Sequence, residues 1–103
     1  MQESRVPADE CRSMAEVRQG VDRLDEAIVA LLAERFRYME AAARIKPERD
    51  AVRDEWRKAD VLAKVRAAAE REGAPAARLA ALYEALIESS IAYEFERFDA
   101  ARS

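Results

Sequence analysis

The sequence contains no histidine, a single cysteine, two glycines and three prolines. Each shortage excludes something. Without histidine, the commonest general base and the commonest metal ligand are both missing. A lone Cys11 rules out an intrachain disulfide and a cysteine metal cluster. So few glycines and prolines leave little of the chain written for turns. No apolar run approaches the ~18–20 residues of a membrane span. The opening stretch "MQESRVPADE" has no apolar centre, so it does not read as a secretory signal. A soluble cytoplasmic protein, away from membranes, is the expectation.

What is present is mostly helix-forming. Hydrophobic residues make up 50% and charged residues 38%, and alanine, leucine, glutamate and arginine dominate. An all-α chain with few, long helices follows. The formal net charge is −3, from 18 basic and 21 acidic residues. Nucleic-acid binding usually needs a basic excess, so no nucleic-acid partner is expected. The chain has 103 residues, room for one modest core, and oligomerisation is a natural supplement to it.

Residues 1–12 read as a flexible lead and residues 13–103 as one helical domain. "SMAE" places Ser13 at a helix cap with Glu16 three residues on, a capping box. Apolar positions then recur at Val17, Val21, Leu24, Ile28 and Leu31, and after Arg35 at Tyr38, Ala42 and Ile45. Alternating steps of four and three are helical spacing. Pro47 should end the run at Lys46. A helix of about 34 residues spans ~50 Å, whereas a globule of this size has a radius of gyration of only ~13 Å. The rest of one chain cannot cover such a helix, so a partner chain is expected. A polar connection leads to a second helix from Asp54, a suitable cap, to about Arg71. In "EGAP", Gly73 closes that helix and Pro75 opens a third, which runs to about Ala100.

Polar residues interrupt the apolar faces. Arg35 lies seven residues after Ile28, and Lys46 eleven after Arg35, so all three point within ~20° of one another per step. The two cations flank Ala42, about 16 Å apart along the axis. On the third helix, the stripe Leu79, Tyr83, Leu86 continues into Ser90 and Glu94. On the second, Arg57 sits at the edge of the apolar side. Either these groups snorkel and pair structurally, or they line a cationic pocket between helices, with one carboxyl group in it, that holds an anion. Trp56 reads as a packing anchor or lid residue rather than a base-stacking platform. Tyr83, Tyr93, Phe95 and Phe98 read as core or dimer contacts.

These residues resemble a known family. "VRQGVDRLDEAIVALLAERFRYMEAAARIK" is similar to the first helix of the all-helical chorismate mutases: a basic residue near the start, "RLD" and "LLAER" in the middle, and a lysine eleven residues beyond that last arginine. "VRDEWRKADVL" resembles their second helix and "LYEALIESSIAYE" their third. The opening "ADECRSMAEVR" also resembles the related isochorismate pyruvate-lyases. The likeness covers about Glu10 to Phe98.

The resemblance implies an intertwined homodimer of three-helix chains, with two equivalent sites for a small dicarboxylate substrate and no cofactor or metal. It implies that Arg18 reaches across the interface to one carboxylate, and that Arg35 holds a carboxylate from its own chain with Arg57 in support. Lys46 would donate to the substrate's ether oxygen, while Asp54 and Ser90 would line the hydroxyl or carboxylate ends. Glu94 stands where many members have a glutamine that donates to the same oxygen, so it can do so only when protonated. Lys58 stands where many members have a glutamate that accepts from the ring hydroxyl. It either leaves room for an isomeric substrate or faces solvent while Asp54 takes the hydroxyl. The implied activity is the one-step rearrangement of chorismate to prephenate. Loss of pyruvate from isochorismate, and a non-catalytic helical dimer module, are the alternatives.

Overall fold

A computed structural model describes residues 6–103. Three helices make up nearly all of it: α1 (Met14–Ile45), α2 (Glu55–Arg71) and α3 (Ala76–Arg102). Short 3-10 turns occupy Ala8–Glu10 and Arg49–Ala51, and no strand occurs among the described residues. No helix there is long and apolar enough to cross a membrane. The expected flexible lead falls partly on residues 1–5, outside the described residues. The chain divides into two compact units, one ending at Arg35 and the other Phe36–Ser103. Helix α1 contributes to both.

In the N-terminal unit, Ser13 Oγ accepts from Glu16 N at 3.2 Å, half of the expected capping box. The return bond goes to Arg12 N (2.7 Å) rather than to Ser13. The Glu16 carboxylate still satisfies a donor at the helix entrance. The lead lies near the first turns of α1, where Val6, Pro7, Cys11, Val17 and Val21 line an apolar recess. The apolar stripe of α1 stays open: its exposure runs from 38% at Val17 to 66% at Leu31, with Val21, Leu24 and Ile28 between.

The second unit has its own core. Ala43 from α1, Val52 from the connection and Phe98 from α3 are buried together, with Ile91 and Phe95 packed against them. Phe36 and Tyr93 meet edge to face, ring centroids 5.1 Å apart, and the Tyr93 hydroxyl donates to Glu40. Helices α2 and α3 pack on each other, with small residues Ala69 and Ala80 buried.

The turn between α2 and α3 follows from one glycine. Gly73 has φ +71°, in the left-handed region that other residues enter at a cost of ~1–2 kcal/mol. Gly73 N donates to Glu70 O (3.2 Å) and Ala74 N to Ala69 O (2.8 Å), so the last carbonyls of α2 are satisfied in a Schellman motif. Asp54 caps the other end, its Oδ1 accepting from Arg57 N at 3.0 Å. Two expectations need correction. Trp56 does not anchor packing within the chain, being 75% exposed. The connection after Pro47 is not merely polar, because Val52 turns inward to the core.

Candidate functional site

The first unit carries Arg18, which is exposed, and Arg35, which is half-buried. Both are on α1. The other candidate residues belong to the second unit, where their geometry is defined.

Lys46 lies one residue beyond α1, where Pro47 interrupts the helix. Its Nζ stands 2.7 Å from Glu94 Oε2. Glu94 is 4% exposed and Ser90, one turn earlier on α3, is 2% exposed. These two are the only buried polar or charged side chains among the described residues. The stripe of α3 therefore runs inward as its spacing predicts, and the polar residues go in with it. Ser90 is accommodated by donating from Oγ to Leu86 O at 2.7 Å, the local bond that lets a hydroxyl sit inside a helix.

Glu94 is accommodated less completely. Its Oε2 is close to the Lys46 ammonium, yet no well-directed hydrogen bond reaches that buried oxygen. The contact is one of charge rather than of aligned donor and acceptor. Buried ion pairs offset their desolvation only with good geometry and further hydrogen bonds. Lys46 Nζ also donates to Val52 O, at a long 3.4 Å. A half-buried cation thus meets a buried carboxylate with hydrogen-bonding capacity to spare. That arrangement suits a polar ligand atom better than it suits stability.

The remaining candidates have other partners. Asp54 serves as the α2 cap. Arg57 is exposed and donates to Asp60 Oδ2 at 2.8 Å; Lys64 and then Arg57 hold the Asp60 carboxyl below its ordinary range.

Lys58 is not a solvent-facing residue, contrary to one reading of the sequence. Its ammonium bridges Glu84 (2.6 Å) and Glu88 (2.7 Å) on α3, which raise its pKa. Arg53, which the sequence did not single out, donates to Glu88 Oε1 at 2.6 Å and to Glu55 at 2.8 Å. Arg53 and then Lys58 push the Glu88 carboxyl down to about 2. The four-residue spacing of Glu84 and Glu88 puts both on one face of α3. Their partners, however, come from 26 to 35 residues away, so spacing alone did not reveal the network.

The described residues thus form a long helix and a shorter helical hairpin, with a half-buried lysine paired to a buried glutamate. The profile of the chorismate mutase type II family matches residues 17–95. The chain belongs to that family. A search of curated proteins found no match.

Proposed function

We propose that the protein is a chorismate mutase acting as a homodimer. The observation that carries this reading is the Lys46–Glu94 pair, 2.7 Å apart with its carboxylate buried, in a chain of this family. Rearrangement of chorismate to prephenate breaks an ether C–O bond and forms a C–C bond in one step. It transfers no proton to the protein and needs no covalent intermediate, so a site without histidine is sufficient. The protein must hold the substrate in its compact reactive shape and stabilise the negative charge that grows on the ether oxygen.

On this reading Lys46 donates to that oxygen. Arg35 grips one carboxylate, with Arg57 in support, because guanidinium groups pair bidentately with carboxylates. Arg18 reaches the other carboxylate from the second copy. Asp54 and Ser90 line the polar ends, and Glu94 donates beside Lys46 when protonated. The dimer is supported by the open stripe Val17–Val21–Leu24–Ile28–Leu31, an apolar face of the kind that marks association.

The test is turnover of chorismate by the purified protein at acidic and neutral pH. Prephenate is expected, and Lys46→Ala should lower kcat by about 10²- to 10³-fold, as loss of a charge-stabilising donor does. Glu94→Gln puts a neutral amide donor beside Lys46 in place of the carboxyl group, and should raise kcat for chorismate. An unchanged or lower kcat would remove Glu94 from the donor role. Isochorismate belongs in the same assay, since Lys58, held by Glu84 and Glu88, replaces a carboxylate acceptor. Pyruvate and salicylate from isochorismate would move the activity to the lyase. Silence with both substrates would leave a non-catalytic dimer.

A further inference from the structure

We infer that Arg102, at the far end of α3, is a positioning residue that fixes Lys46; its link to turnover rests on the reading of Lys46 above. The need for it begins with Pro47. An α-helical carbonyl accepts from the N–H four residues on. For Ala43 that residue is Pro47, which has no N–H. The last helical bond of α1 is Lys46 N to Ala42 O, at 2.9 Å. Ala43 is buried, so its carbonyl would carry the cost of an unmet acceptor inside the unit.

Arg102 meets it. Nη1 donates to Ala43 O at 3.1 Å, and Nη2 donates to Lys46 O at 2.7 Å. One planar group therefore bridges two carbonyls at the terminus of α1, where a cation also complements the negative end of the helix dipole. The guanidinium is itself held. It stacks on the Phe98 ring, 3.6 Å from the centroid, and Nη1 reaches Phe98 O at 3.4 Å. Phe98 belongs to the core with Ala43 and Val52.

Lys46 is consequently fixed at two points. Arg102 holds its backbone, while Glu94 and the Val52 carbonyl hold its ammonium. An error in the backbone at Lys46 would be carried to Nζ, and a displacement of about 1 Å can cost on the order of 10²-fold in rate.

The chain has three lysines, Lys46, Lys58 and Lys64, so lysine side chains labelled with 13C at Cε give a spectrum in which Lys46 is read against two internal references. In Arg102→Ala the Lys46 signal should shift and broaden while those of Lys58 and Lys64 stay in place. With chorismate, kcat should fall roughly 10- to 100-fold with KM within about threefold, and the loss should vanish in a Lys46→Met background, because effects acting through one group do not add. Arg102→Lys keeps the charge and the fold but cannot bridge both carbonyls, and should shift Lys46 part of the way. An unmoved Lys46 signal in either folded variant overturns the clamp, as does full restoration by lysine or equal movement of all three lysines. Turnover that survives Lys46→Met overturns the catalytic half together with the function reading, and leaves the spectroscopic result to judge the clamp separately.

Discussion

The two halves of α1 obey the same spacing rule and meet different fates. Between Val17 and Leu31 the apolar positions are large aliphatics, and they stay exposed. Beyond Phe36, Tyr38 and Ile45 also stay exposed, but the adjoining side of the helix is covered, and Ala43 is buried there against Val52 and Phe98. An apolar stripe states that a face seeks cover. It does not state whether the cover comes from the same chain. In the second unit the connection and α3 supply it. In the first unit a single helix and a short lead do not, and isolated helices are marginal in water. The bare stripe is the strongest physical support for the proposed second copy.

The largest effect expected from breaking this contrast is in the unit that covers itself. Phe98→Ala removes the ring at the centre of that core, along with the surface on which Arg102 stacks. It should cost about 3–4 kcal/mol, read as a thermal midpoint whose drop does not depend on protein concentration. Leu24→Glu attacks the bare face instead. Losing the burial of one leucine, about 2–3 kcal/mol, should weaken self-association by roughly 100-fold. Sedimentation should show it, with a thermal midpoint that falls on dilution. A variant that remained dimeric would place the interface elsewhere.

Smaller changes sharpen the picture inside the second unit. Asp54→Ala deletes the α2 cap at the cost of about 1 kcal/mol, and Asp54→Asn should recover most of it. If Asp54 also lines the substrate's polar end, the alanine variant should raise KM beyond what its stability loss explains. The smallest effect is in acid. Glu88 is held at about 2 by Arg53 and Lys58, below its unfolded value. Its contribution is therefore full above the unfolded carboxylate pKa and lost as pH falls from there towards 2. Glu88 and Arg53 are both substantially exposed, so the effect is small and screened by salt. Glu88→Gln should flatten the acid limb of a stability-against-pH curve slightly and leave the neutral region nearly unchanged.

Local rules read much of this molecule correctly. Pro47 was expected to stop the first helix at Lys46, and α1 ends at Ile45. Asp54 was expected to cap α2, Gly73 to close it and Pro75 to open α3, and each occupies that position. These features are legible because a cap, a missing N–H or a positive φ acts within a few residues. The inward run of Ser90 and Glu94 was legible for the same reason, since a helical period fixes which side chains share a face. Val52, Arg53 and Arg102 were not legible. Val52 sits in a polar stretch, and the partners of the two arginines lie across the fold.

By itself the sequence determined three helices, their ends, the polar intrusions on their apolar faces and the likeness to the chorismate mutase family. Only the tertiary structure decided that Glu94 meets Lys46, that Lys58 is taken up by Glu84 and Glu88, and that Arg102 closes α1. Helical order is written in contacts three or four residues apart. The pairing of charges depends on which surfaces the hairpin and the connection bring within about 3 Å, where burial and hydrogen bonding choose among many cations of equal sign.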